Sequence, residues 1–234
     1  MSEAFLERDF KAYERHLQDD PEYNALRLSV RRKLKAIADA TLADAKGLGV
    51  ELSAQAGLHH PYTFNAYRVR EQRAYLCRSP KERKKLASFF GEALGKDAET
   101  HYIQTVLEVC LDDQIVEAAL RIHPQAWWDG EHLKKKVLQD PAKMDEFAAM
   151  LRALPKGFNL KLHDWKKDNW CAQAKPLELK ETLTHYTPGN HWLHVQRQLP
   201  KEDALAMGPD AEQWVKASLL SLLPIYRFTL WSPA

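Results

Sequence analysis

Residues 101–122 read HYIQTVLEVCLDDQIVEAALRI, and the alternation inside them decides the fold. Ile103, Thr105, Leu107, Val109 and Leu111 fall on one side of an extended chain, with Tyr102, Gln104, Glu108 and Cys110 on the other. After Asp112-Asp113 the pattern resumes, with Val116, Ala118, Leu120 and Ile122 opposed to Glu117, Ala119 and Arg121. Successive side chains of a strand point to opposite faces, so the stretch reads as a hairpin with one apolar face. A sheet of this kind is covered by helices on its apolar side only. The expected class is therefore α+β: an antiparallel sheet with helices packed mainly on one face, in a single domain spanning 1–234. A doubly wound parallel sheet, apolar on both faces, does not fit.

Upstream, Phe5, Phe10, Tyr13 and Leu17 recur at helical spacing. Asp20-Pro21 restarts the pattern as cap and first helical residue. Leu26, Val30, Leu34, Ile37 and Leu42 then form the stripe of a long helix that Gly47 and Gly49 end, so a helical segment of about 1–47 is expected to pack against the sheet. Residues 64–78, rich in aromatic and β-branched side chains, read as strand. Ser79-Pro80 opens a helix bearing Leu86, Phe89, Phe90 and Leu94. Downstream, Asp129 is expected to open one helix and Asp140-Pro141 another, the second stopped by Pro155-Lys156-Gly157. The stretch DWKKDNWCAQAKP (164–176) reads as a long irregular loop, and 192–199 as a strand. Pro209-Asp210 opens a last helix, and the terminal IYRFTLW (225–231) reads as an extended segment docked on the core. No repeat, low-complexity tract or Gly/Ser linker divides the chain.

Composition removes several classes. The 234 residues carry 34 Lys and Arg against 32 Asp and Glu, a balance of +2 that is far from a DNA-coating polycation. Cys77, Cys110 and Cys171 are odd in number and widely spaced, which points to reduced thiols and a cytoplasmic location, not a disulfide framework. No leader-like apolar run opens the chain, and no stretch nears the ~18 apolar residues of a membrane span. There is no GxGxxG and no GxxxxGK[ST] among nine scattered glycines, so no cofactor is expected. CxxC and HExxH are also absent. His191 and His194, three apart on a strand, face opposite ways, and His59-His60 diverge as neighbours; no metal is expected.

In the second half, Leu154-Pro-Lys-Gly-Phe158 is followed by Leu179-Lys180, then by HVQRQLPKEDAL (194–205) read as a strand, then by a helix ending in LLPIYRF (222–228). This order of elements resembles an uncharacterised bacterial family, the domain of unknown function numbered two-four-six-one. The resemblance covers roughly residues 101–230. It implies an α+β single domain and brings no activity with it. The N-terminal third lacks the Asn-Asn and Trp-Phe signature that the family carries there.

Two kinds of site remain. Glu108 and Glu117 stand on the two arms of the hairpin and on the same polar face, where close carboxylates can serve as acid and base. Arg121 shares that face with Glu117, so an ion-pair network is the alternative. The second kind comes from segregated charge. Residues 27–35 hold Arg27, Arg31, Arg32, Lys33 and Lys35 with no acid, and residues 68–86 hold eight basic residues against two acidic ones. By contrast, Glu99 to Glu117 carries five acids and no Lys or Arg. Basic stretches interleaved with aromatics, such as Tyr67-Arg68-Val69-Arg70 and Trp165-Lys166-Lys167, can neutralise phosphates and stack on bases. Arg68, Arg70, Arg73, Arg83, Lys84, Lys85, Lys166 and Lys167 are thus candidates for anion binding. Equally, they can be the solvated face of ordinary elements. Trp127 and Trp128, being adjacent, cannot both face one core. With Trp165 and Trp170 they are candidates for a shared partner-binding groove.

Three readings follow. The first is a non-enzymatic binding module that holds nucleic acid or an acidic protein through 68–86 and the tryptophan loops. The second is an enzyme with a cleft on the polar sheet face. The third is a structural subunit. A broad basic surface favours the first, and a pocket with a few polar groups at its base favours the second. An exposed apolar surface around Trp127 favours the third.

Overall fold

The structure, a computed structural model, describes residues 4–47, 51–163 and 165–233. Gly49 and Asp164, both used in the sequence reading, lie outside the described residues. The chain is α+β, as the hairpin predicts. Among the described residues seven strands form one antiparallel sheet: β1 Leu52–Ala56, β2 Gln72–Arg78, β3 Thr105–Leu111, β4 Ile115–Ile122, β5 Asn159–Leu162, β6 Asn169–Trp170 and β7 Leu193–Pro200. Their spatial order is β1-β2-β3-β4-β7-β5-β6. The 101–122 hairpin is the middle of this sheet, with Leu107 opposite Leu120 and Val109 opposite Ala118. Its turn closes on the first aspartate, whose Oδ1 accepts from the amides of Gln114 (2.7 Å) and Ile115 (2.8 Å).

The apolar face carries Leu107, Val109, Leu111, Val116, Ala118, Leu120 and Ile122, all buried. The described helices in chain order are α1 (Glu7–Lys11), α2 (Asn24–Gly47), α3 (Pro80–Glu99), α4 (Trp127–Gln139), α5 (Pro141–Arg152), α6 (Pro176–His185), α7 (Lys201–Met207), α8 (Asp210–Ser221) and α9 (Leu223–Thr229), and α2, α7, α8 and α9 pack over this sheet. One core runs from Phe5 to Phe228. Caps read from sequence are in place. Asp20 accepts from Glu22 N, Ser79 from Glu82 N and Asp140 from Ala142 N, each followed by proline. Ser79 starts α3 (Pro80–Glu99), which bends at Gly91, where φ is +72° and a side chain would be strained.

Several expectations give way. Strand structure within 64–78 begins only at Gln72. Thr63–Asn65 is a 3-10 turn, and Ala66 and Tyr67 are left-handed (φ 54° and 57°). The aromatics there are exposed and cannot anchor a half-buried strand. Strand β1, in which Ser53, Ala54, Gln55 and Ala56 are small or polar, carries no β-propensity signal. Helix α4 (Trp127–Gln139) opens two residues before Asp129, which is buried in its first turn. The 164–176 stretch holds β6 and a 3-10 turn at Cys171–Gln173. HVQRQLP is strand, but KEDAL is helical in α7. The terminal IYRFTLW is mostly α9, because Leu223, Ile225, Tyr226 and Phe228 are buried against the core at helical spacing.

Candidate functional site

The polar face of the central strands is almost as buried as the apolar one. Glu108 and Glu117 are each 4% exposed. The charges enclose one another. Register places Cys110 between Arg73 and Glu117, and Glu108 between Tyr75 and Ala119. The methyl of Ala119 leaves room for long neighbours to lean together. Arg121 Nη2 donates to Glu117 Oε1 at 2.5 Å, and its Nε lies 3.0 Å from Glu108 Oε1. Arg73 Nη1 reaches Glu108 at 3.4 Å, and Nη2 pairs with Glu71. Gln198 Nε2 donates to Glu117 Oε2 (2.8 Å) and Cys110 Sγ to Glu71 Oε2 (3.4 Å). The result is a ladder, acid–base–acid–base–acid, from Glu71 to Glu117. Burial opposes the charge of Arg73 and Arg121, and the flanking carboxylates outweigh it, so both stay protonated. Burial, with Glu71 adding to it, pushes the Cys110 thiol well up and makes it inert. His194 follows on β7 opposite Arg121. Burial first, and the two arginines next, push it down to about 3, and its Nε2 is enclosed without a partner. Glu108 and Glu117 therefore meet through Arg121, in the ion-pair arrangement, with no open carboxylate pair between them.

Along the same face towards α3 lies a cavity of about 200 Å³, lined by Arg73, Tyr75, Tyr102, Gln104, Val106, Glu108, His123 and Trp192. His123 and Trp192 meet edge to face at 4.6 Å, and Tyr102 packs on His123 at 6.4 Å. Tyr75 Oη is 2.6 Å from His101 Nδ1. Burial pushes the Tyr75 hydroxyl up and the His101 and His123 rings down, so all three are neutral at physiological pH.

The basic run 68–86 divides. Arg78 is buried on Asp129, with Nη1–Oδ2 at 2.8 Å and Nη2–Oδ1 at 2.6 Å, and it also donates to Gln104 and to Trp231 O. Asp129 accepts further from Thr105 Oγ1 (2.7 Å) and Trp231 N (2.9 Å). Arg83 is buried too, donating to Arg78 O (2.7 Å) and Glu99 O (2.9 Å), so it is no anion site. Arg27 is wholly enclosed, giving its protons to Ala12 O, Asp20 O, Leu17 O and Asn24. Lys33 is buried on Asp9. Lys84, Lys85, Lys166 and Lys167 are exposed. The acidic stretch is no acidic surface either, since Glu108 and Glu117 are buried and paired.

Arg68 and Arg70 remain exposed, in the loop between β1 and β2. Tyr62, Phe64 and Tyr67 of that loop are 54, 67 and 61% exposed. The loop is tied down at Gly57, whose carbonyl accepts from Arg31 Nε (2.7 Å), and at Val69, whose amide donates to Gln18 O (2.8 Å). Burial first, then His60, Arg31 and Arg32, push His59 down, so the basic stretch of α2 adds its field to the loop. An open groove of about 430 Å³ runs along it from Gly57 and Phe64 past Arg68 and Arg70 to Arg73. Sequence joined Tyr67 to Arg68 and Arg70, but nothing local could join them to Arg31 and Arg32.

The four tryptophans do not share one groove. Trp128 is buried and Trp127 is 38% exposed, as adjacency requires. Both line an open groove with Phe89, Phe90 and Trp231. Trp165 packs on the main core beside His185 (5.3 Å), and Trp170 is exposed on β6. His191 and His163 stack at 5.5 Å, and among the described residues no group of three or more His, Cys, Asp or Glu is placed to hold a metal ion. No described helix is long and apolar enough to cross a membrane. No family model matches this chain, and no curated protein matches it.

Proposed function

We propose that this chain is a binding module for single-stranded nucleic acid, and that the loop between β1 and β2 makes the contact. One observation carries the reading: three aromatic rings, each more than half exposed, stand within six residues and beside the exposed Arg68 and Arg70. Water gains nothing from such rings, whereas unstacked bases find flat partners in them and arginines find phosphates. A duplex keeps its bases paired and inside, so single strands are favoured. The loop supports this use mechanically. Ala66 and Tyr67 are held in the left-handed region, costly for residues with a Cβ, and the anchors at Gly57 and Val69 keep the conformation.

Fluorescence anisotropy with labelled oligonucleotides, single-stranded and duplex, tests it between about 50 and 200 mM salt. If Arg31, Arg32, Arg68 and Arg70 each neutralise one phosphate, log K falls against log salt with a slope of about −3. The expected result is tighter binding of the single strand, lost in Arg68→Glu/Arg70→Glu and weakened by Phe64→Ala. Absence of binding at low salt overturns the reading. Binding of a poly-glutamate peptide in its place makes the partner an acidic protein.

A further inference from the structure

The polar-face cavity is a second, separate feature, and Arg73 lines both it and the loop groove. We infer that this cavity receives one nucleobase, stacked among Tyr75, Tyr102 and Trp192 with an amino group turned to Glu108. The choice of a nucleobase among planar rings rests on the nucleic-acid reading. The cavity itself stands on its own geometry.

Size comes first. About 200 Å³ compares with ~30 Å³ for each molecule of liquid water, room for on the order of six to ten non-hydrogen atoms. That is one heterocycle and not a drug-sized ligand. Shape comes second, because the walls are rings. Tyr102 is 56% exposed at the mouth, His123 and Trp192 stand edge to face, and Tyr75 is fixed by His101. Polarity comes third. Glu108 is buried in the lining, with Oε1 enclosed against Arg121 Nε at 3.0 Å, while Oε2 accepts a long 3.4 Å contact from Arg73 Nη1 and keeps acceptor capacity. An ionised carboxylate only accepts, so a donor on the ligand completes it. A free ammonium is disfavoured, because Arg73 and Arg121 already flank Glu108 with two positive charges. A neutral ring amine meets both conditions. Adenine, cytosine and guanine present one. Uracil presents an N–H between two carbonyl oxygens that the carboxylate repels.

Isothermal titration calorimetry with free adenosine, cytidine, guanosine and uridine tests the inference on the intact protein. At least one amine-bearing nucleoside is expected to bind at least tenfold tighter than uridine. Tyr102→Ala, at an exposed wall, is expected to weaken it at least tenfold with the circular dichroism spectrum unchanged. Glu108→Gln, which keeps the shape and adds a donor, is expected to narrow the difference from uridine. Arg68→Glu/Arg70→Glu should leave nucleoside binding untouched while abolishing oligonucleotide binding. Nucleosides that bind a protein unable to bind oligonucleotides sink the strand-binding loop and leave the cavity standing. No heat with any nucleoside at millimolar concentration overturns the cavity assignment, whatever oligonucleotides do. So does binding that Tyr102→Ala leaves unchanged.

Discussion

Arg70 and Arg78 are eight residues apart in one basic run, and they have opposite fates. Arg78 is enclosed, with four acceptors around it and a carboxylate that is itself wholly buried. Arg70 lies open and lines a groove with Phe64 and Arg68. The difference is made by backbone context. At Arg78 the chain is in β2, facing α4, so its guanidinium must be satisfied internally. At Arg70 the chain has not yet entered the sheet. A run of like charge is therefore no surface until the elements are placed. What it marks at one end is a structural clasp, and at the other a surface available to a partner.

That contrast can be broken from either side. Asp129→Ala leaves Arg78 buried and unpaired. It is expected to cost about 3–5 kcal/mol in urea denaturation, the largest effect here, and a cost under 1 kcal/mol would show that the clasp is not structural. Arg83→Glu removes donors from Arg78 O and Glu99 O and buries a wrong charge. A loss of about 2–3 kcal/mol is expected, while Lys84→Glu/Lys85→Glu next to it stays within about 0.5 kcal/mol.

The polar face gives a pH signature. His194 is neutral in the fold with its affinity for protons pushed down to about 3, against 6.5 unfolded. The unfolded chain therefore binds the extra proton between those values, and stability falls as pH drops from 6.5 towards 3. Roughly 2 kcal/mol of the loss between pH 7 and 4.5 belongs to this ring, allowing for its partial exposure. His194→Gln should flatten the curve by that amount, and an unchanged slope would assign the acid sensitivity elsewhere. Arg68→Glu/Arg70→Glu should leave stability within about 0.5 kcal/mol while removing oligonucleotide binding. Smallest of all in combined effect, Ala66→Gly relaxes a left-handed residue at some entropic cost, so a stability shift under about 0.5 kcal/mol is expected, with weaker but not abolished strand binding as the loop loosens.

Much of this was legible along the chain. The alternation of 101–122 set the sheet and its faces, because period two needs no distant information. Proline after a capping side chain marked three helix starts for the same reason. Glu117 and Arg121 were readable as one-face neighbours, since register within a strand is local. Legibility stopped where a residue's role depends on a remote partner. The N-terminal basic stretch looked like surface, yet Arg27 and Lys33 are enclosed by residues 9–24 folding back on α2. Phe64 and Tyr67 looked like strand because propensity cannot tell a ring that packs from one that does not. IYRFTLW, short and apolar, suits a buried helix as well as a strand, and only contact with the core selected the helix.

The sequence by itself determined the class of fold, the caps and which side chains share a face, all properties of near neighbours fixed by bond geometry and sterics. Tertiary structure alone decided which arginines are bound and which are open, that Tyr75, Glu108 and Trp192 line one cavity, and that Arg31 leans on the aromatic loop. Those outcomes depend on desolvation and on charges brought together from distant parts of the chain, and burial is a property of the assembled surface.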